Sequence, residues 1–226
     1  MADHRSRGVA FDLWNTLAYD SASPNPVVWM AERLGIAGRP DWTDLIERAY
    51  MTEPVPGIEE ALRRLERTAS LPPTDPAPFV EAFARADRSV RLFDDVLPAL
   101  RALRPAFRLA LLTNTQSFGL GFLKTTGLAG LFDATCCSYE CGLLKPDPRI
   151  FRLAAQRLGL PGGRLTMVGD NLAKDVLAAE AAGWRGILIK RPKGSLSHTE
   201  TGTHAPTIRS LEEIRPLLEA PGNAGA

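Results

Sequence analysis

Val9-Ala10-Phe11-Asp12-Leu13-Trp14-Asn15-Thr16-Leu17 decides the reading of this chain. An apolar run of β-type residues delivers a single carboxylate, Asp12, to a strand end, and polar turn residues follow at once. A carboxylate so placed suits a nucleophile or a metal ligand. Working outward, four further short apolar runs read as strands: Phe107–Leu112, Ala134–Ser138, Leu165–Val168 and Gly186–Ile189, after a first over Gly8–Leu13. None alternates strictly, as expected of strands buried on both faces of a parallel sheet. Helical spacing fills the gaps over Asp95–Arg104, Phe118–Thr126, Pro148–Leu158 and Leu172–Ala182. A last helix, Ser210–Leu218, opens with the capping-box pair Ser210 and Glu213. Strands and helices alternating in this order predict an α/β fold with a doubly wound parallel sheet.

One stretch breaks the alternation. Between Leu13 and Phe107 the pattern is helical, over Asn25–Leu34, Trp42–Met51, Ile58–Thr68 and Pro78–Val90, with proline-rich joints at Pro54-Val55-Pro56-Gly57 and around Pro72-Pro73. No strand signal interrupts it. We therefore expect an all-α insert over residues 18–92, placed as a lid because it begins a few residues after Asp12, and a core made of residues 1–17 and 93–226.

Composition narrows the function classes. The chain has 226 residues, 45% hydrophobic and 23% charged, with a net charge of +1. That near-neutral balance, without basic blocks interleaved with aromatics, argues against nucleic acid as a partner. No apolar run approaches the roughly 18 residues needed to span a bilayer. The residues before Gly8 lack the longer apolar segment of a signal peptide, which points to the cytoplasm. Cys136, Cys137 and Cys141 are an odd, clustered set without a fourth nearby ligand, since His4, His198 and His204 are distant in sequence. They read as reduced thiols and not as a disulfide framework or zinc site. The tail from Pro221 to Ala226 is of low complexity.

Four segments place chemistry at strand ends, where an open α/β sheet binds its ligand. They are Asp12 with Thr16, Leu111-Leu112-Thr113-Asn114-Thr115, Gly142-Leu143-Leu144-Lys145-Pro146-Asp147-Pro148, and Met167-Val168-Gly169-Asp170-Asn171-Leu172-Ala173-Lys174-Asp175. Each residue also has a structural reading. Asp12 suits a turn, Thr113 and Asn114 suit the cap of a following helix, and Lys145 suits a solvated loop. Asp170 suits an N-cap, and Asp175 suits a surface acid paired with Lys174. In this order, with a helical insert between the first two, the segments resemble the haloacid dehalogenase superfamily of hydrolases over about Gly8 to Ile214. The resemblance implies a Rossmann-like core with a helical cap and an aspartyl nucleophile, matched by Asp12. It implies Lys145 as a catalytic cation, and phosphoryl oxygens held by Thr16, Thr113, the Asn114 N–H and Lys145. It also implies Mg2+ held by Asp12, the Trp14 carbonyl and Asp170, with Asp175 either binding the ion or supporting it. A small phosphorylated metabolite is the implied substrate. Mg2+ suits such a set because it is a hard cation, held by one or two carboxylates with substrate phosphate and water.

Two features conflict. Most phosphatases of this family carry a second acid at the position of Trp14, which protonates the leaving alkoxide. Its loss costs about 10²–10⁴ in rate, or roughly 3–5 kcal/mol of barrier, and falls mainly on poor leaving groups. The family's 2-haloacid dehalogenases also lack that acid and carry an aromatic there. They need no metal, however, and typically have serine at the position of Asp170. The expectation is therefore a Mg2+-dependent phosphatase. The alternatives are a dehalogenase whose substrate carboxylate would be met by Arg33 or Arg39, and a catalytically impaired binding protein.

Overall fold

The structure is a computed structural model that describes residues 5–192 and 204–220. His4, His198 and the low-complexity tail lie outside these residues. A six-stranded parallel sheet carries the core, in the order β5–β4–β1–β6–β7–β8. The strands are β1 (Gly8–Phe11), β4 (Arg108–Thr113), β5 (Ala134–Cys137), β6 (Leu165–Gly169), β7 (Arg185–Ile189) and β8 (Thr207–Ile208). Central β1 pairs with β4 on one side, from Gly8 opposite Arg108, and with β6 on the other, from Gly8 opposite Leu165. The strand order reverses between β1 and β6. This is the switch point at which open α/β sheets form their ligand crevice.

Apolar side chains on the two faces of the sheet bury separate layers. Val9 and Phe11 of β1 join Leu100, Leu109 and Leu111 on one side, with α5 (Val96–Leu103) and α10 (Ile214–Glu219) covering them. Ala10 joins Leu112, Met167, Ile150 and Phe151 on the other, beneath α8 (Pro148–Leu158) and α9 (Ala178–Ala181). Short helices α6 (Phe122–Thr125) and α7 (Ser138–Cys141) complete the layers. Among the described residues, no helix is long and apolar enough to cross a membrane.

Between β1 and β4 the chain forms α1 (Pro26–Arg33), α2 (Trp42–Tyr50), α3 (Ile58–Ala69) and α4 (Ala77–Ser89). Asn25 caps α1 by accepting from the Val27 and Val28 amides. Residues at i, i+3, i+4 and i+7 of α3 (Ile58, Ala61, Leu62, Leu65) meet Leu45, Ile46 and Tyr50 of α2 and Phe79 and Phe83 of α4 in a core of their own. Trp29 and Trp42 pack against it, half-buried, while Phe79 is wholly inside.

The sequence pattern misses three pieces. The first is a two-stranded antiparallel sheet, β2 (Ala18–Asp20) with β3 (Val90–Leu92), through which the chain leaves the core and returns. Three-residue strands are too short to show a period, and Val90 merges with the α4 pattern. The second is β8, two residues long. The third lies in Phe118–Thr126, of which only α6 is helical. Gly119 is left-handed at φ +72°, and Phe118 is drawn away to pack on Tyr50 and Phe83. The Ser210–Glu213 capping box is present, but it opens a 3-10 turn that precedes α10.

Leu65 is fully buried, whereas Leu177 is 49% exposed. Leu65→Ala should therefore lower the unfolding free energy by about 2–5 kcal/mol, and Leu177→Ala should stay within about 0.5 kcal/mol of the parent. Urea titrations of the two variants measure the contrast.

Candidate active site

β1 ends at Phe11, and the next residue extends its pairing, since the Asp12 amide donates to the Val168 carbonyl at 2.9 Å. The Asp12 carboxylate thus emerges at the switch point. It accepts from Lys145 Nζ at 2.6 Å, and the same ammonium donates to Asp175 Oδ1. All three groups are buried. Asn114, just after β4, holds the lysine's backbone at both ends: its Oδ1 accepts from the Lys145 amide at 2.8 Å and its Nδ2 donates to the Lys145 carbonyl at 3.0 Å. Asp175 sits in a π-helical turn, Leu172–Leu177, that returns its carboxylate toward the sheet. There its Oδ2 accepts from the Asn171 amide at 3.0 Å. A Cβ on Gly169 would lie 2.1 Å from that same Oδ2, so only glycine fits at the end of β6.

Asp170 completes the group. One carboxylate oxygen from each of Asp12, Asp170 and Asp175 lies within 4.8 Å of the others. The Asn15 side chain, on a residue in the left-handed region at φ +57°, lies beside Asp170 and favours its ionised form. Three carboxylates face a single ammonium. Burial, reinforced by the Asp12 and Asp175 charges, pushes the Asp170 carboxyl up to about 8. Burial also raises Asp12 to about 6 against the pull of Lys145. Burial disfavours the Lys145 ammonium, yet the Asp12 and Asp175 carboxylates outweigh it and hold its pKa above the usual lysine value. An all-oxygen donor set short of positive charge fits a hard divalent cation.

These residues open into a cavity of about 420 Å3 lined by Asp12, Trp14, Asn114, Lys145, Asp170 and Asp175. Pro40, Trp42, Thr43 and Glu47 of the insert and Lys174 and Lys190 of the core line it as well. Glu47 ties the two parts together, accepting from Lys174 Nζ at 2.8 Å and from Asn114 Nδ2 at 3.0 Å, while Lys174 also donates to Asp44. Burial raises the Glu47 pKa against these two donors.

Several expected residues lie elsewhere. Thr16 and Thr113 are fully buried and do not line the cavity. Thr16 Oγ1 has no hydrogen-bond partner among the described residues, and Thr113 Oγ1 donates back to the Asn114 carbonyl at 3.4 Å. The Asn114 side chain is committed to Lys145 and Glu47, and no helix follows it directly for it to cap. The N-cap of the π-turn is Asn171, not Asp170, and Asp175 pairs with Lys145 and not with Lys174. The Trp14 indole N–H donates to Thr115 Oγ1 at 3.0 Å, and its ring packs on Phe122. Arg33 stacks over Trp29 and Arg39 pairs with Asp41, so neither lines the cavity. Cys136 and Cys137 are buried, which raises their thiols to about 11 and about 12 and keeps them protonated. Sequence reading had no signal for Asn15, Glu47 or Lys190; only the folded cleft brings them in.

Comparison with known proteins follows this geometry. Residues 7–183 match the sequence model described as a hydrolase, the haloacid dehalogenase-like hydrolase. A phosphoserine phosphatase from Thermus thermophilus is 36% identical over 138 residues, 60% of this chain and 55% of that protein. (S)-2-haloacid dehalogenase 4A from Burkholderia cepacia is 29% identical over 135 residues, 59% of this chain and 58% of that one. The chain thus spans little more than half the length of these curated relatives. The crystal structure of a HAD phosphatase from Thermococcus onnurineus superposes with a TM-score of 0.63 at 23% identity, covering 94% of this chain and 98% of that one.

Two outcomes test the site's geometry. Gly169→Ala must displace the Asp175 carboxylate; it should cut turnover at least tenfold, measured on any substrate the parent hydrolyses. Asp170 binds its proton more tightly in the fold than in the unfolded chain, where the ordinary value is 3.8. Without added metal it therefore lowers stability as pH rises from about 4 through about 8. Asp170→Asn should melt above the parent at pH 8.5 in EDTA, and the difference should narrow as pH falls and close only near pH 4.

Proposed function

The chain belongs to the haloacid dehalogenase-like hydrolase family, and from that premise we propose that it is a Mg2+-dependent phosphatase acting on a small phosphorylated metabolite. The observation that carries the reading is the convergence of Asp12, Asp170, Asp175 and Lys145 at the switch point of the sheet. Asp12 and Asp170, the Trp14 carbonyl and, directly or through its neighbours, Asp175 would hold the ion. When bound, Mg2+ supplies positive charge that offsets repulsion between the attacking carboxylate and the phosphoryl group.

The chain's own residues do the rest. The Asp12 carboxylate attacks phosphorus and the ester or acyl oxygen departs, leaving an aspartyl phosphate that water then hydrolyses. Lys145, fixed by the Asn114 clamp, directs Asp12 and stabilises charge on the transferring oxygens. Thr113 and Thr16 are buried and do not line the cavity, so we assign the phosphoryl contacts to other groups. The Asn114 amide remains a donor for the phosphoryl group. We read residues 18–92 as the cap, closed over the cavity through the Glu47 and Asp44 contacts to Lys174.

Trp14 sets the substrate preference. Its indole N–H, which donates to Thr115, is too weak an acid to protonate a departing alkoxide. Leaving groups that are stable as anions, such as aryl and acyl phosphates, are the preferred ones. The same aromatic is the observation that favours the second reading, a 2-haloacid dehalogenase, since halide leaves without a proton. Asp170 weighs against it, because an added carboxylate repels both Asp12 and a carboxylate substrate.

An assay panel of p-nitrophenyl phosphate, acetyl phosphate and an alkyl phosphate, each with Mg2+ and with EDTA, tests the proposal. Turnover should require Mg2+, vanish in Asp12→Asn, and be about 10²–10⁴-fold slower for the alkyl ester. Chloride release from 2-chloropropionate in EDTA would establish the dehalogenase instead. Phosphate-ester binding without any turnover would identify a binding protein.

A further inference from the structure

The chain leaves the core through the turn Leu13–Ala18 and comes back through Phe93 and Asp95, and one buried cation touches both passages. Arg191, just beyond β7, has a side chain only 3% exposed. Its Nε and Nη2 both donate to the Thr16 carbonyl, at 3.1 and 2.9 Å. Its Nη1 donates to Asp95 Oδ2 at 2.6 Å, and its guanidinium lies 4.3 Å from the centroid of the Phe93 ring. Asp95 Oδ2 is fixed in turn by Ser210 Oγ and the Leu211 amide, both at 2.7 Å. The two passages also meet directly, Phe93 donating its amide to the Leu17 carbonyl at 3.1 Å.

The turn that Arg191 grips carries Trp14 and Asn15. Its shape is costly, because Asn15 sits at φ +57°, and such a conformation persists only where surrounding contacts over-determine it. Leu17 and Ala18 both donate to the Leu13 carbonyl, closing the turn from inside. Arg191 closes it from outside with a planar fork, a geometry a lysine does not reproduce. We propose that Arg191 is a positioning residue for the reaction: by holding the Thr16 carbonyl against the Asp95 and Phe93 passage, it fixes the Trp14 carbonyl and the Asn15–Asp170 contact where the carboxylate cluster needs them. The inference rests on the reading of that cluster as a Mg2+ site beside the Asp12 nucleophile.

Arg191→Lys keeps a charge beside Asp95 and removes the two-pronged hold on Thr16. The Mg2+ concentration for half-maximal p-nitrophenyl phosphate hydrolysis should rise at least tenfold, with kcat falling and KM little changed. The Mg2+ concentration needed to raise the melting temperature should move by the same factor, a readout independent of turnover. Asp95→Asn, which weakens the fork's anchor, should move both quantities the same way by several-fold, and it carries the test should Arg191→Lys not fold. Leu158→Ala, a truncation in the core layer on the opposite face of the sheet, should lower the melting temperature without changing either Mg2+ dependence. Parental Mg2+ dependence in folded Arg191→Lys or Asp95→Asn overturns the inference alone, as does an equal shift in Leu158→Ala. If the parent protein itself shows neither Mg2+-dependent turnover nor Mg2+-dependent stabilisation, the site reading falls and takes the inference with it.

Discussion

A single buried ammonium organises the site. Lys145 Nζ lies between the Asp12 and Asp175 carboxylates, and all three side chains are at most 10% exposed. Removing one partner from such a group leaves an uncompensated buried charge, which costs about 3–5 kcal/mol. Much of the surrounding structure serves to keep the three in register. The Asn114 clamp fixes the lysine's backbone, Gly169 yields the space that Asp175 occupies, and the π-turn swings Asp175 inward. The sheet order brings β1 and β6 side by side, so that Asp12 and Asp170 follow neighbouring strands.

Two carboxylates balance Lys145 to excess, and the third makes the excess larger. A fold that buries Asp170 beside Asp12 and Asp175 either keeps protons there or takes up a cation. The proposal of a metal-dependent hydrolase follows from that imbalance more than from any one residue. It also explains why the aromatic at Trp14 does not by itself argue for metal-free dehalogenation. The side chain at that position affects the departing group, whereas the carboxylate cluster governs how the attacking group meets an anion.

The sheet was legible because its strands are short, apolar and separated by helices of clear period. Asp12, Lys145, Asp170 and Asp175 were legible because their segments fall in the order and on the elements of a known family, whereas any one of them alone also suits a turn or a surface loop. What escaped the pattern depends on contacts made over long separations. Thr16 reads as a binding hydroxyl beside Asp12, yet the turn buries it and offers its carbonyl to Arg191, 175 positions later. The Asn114 backbone N–H reads as a phosphate donor, but nothing in the sequence shows that its side chain clamps Lys145 and meets Glu47 of the insert. Gly169 looks like ordinary punctuation until Asp175 is seen against it. The strands β2 and β3 carry no period of their own and exist because the two passages run side by side.

The central claim is that Asp12 becomes covalently phosphorylated. The direct measurement mixes the protein with acetyl phosphate and Mg2+, quenches in acid within a turnover, reduces with borohydride and sequences the peptides by mass spectrometry. The account predicts that residue 12 is recovered in part as homoserine, the reduction product of an aspartyl phosphate, and that this conversion is absent when EDTA replaces Mg2+. Turnover of the substrate with residue 12 recovered only as aspartate would contradict it.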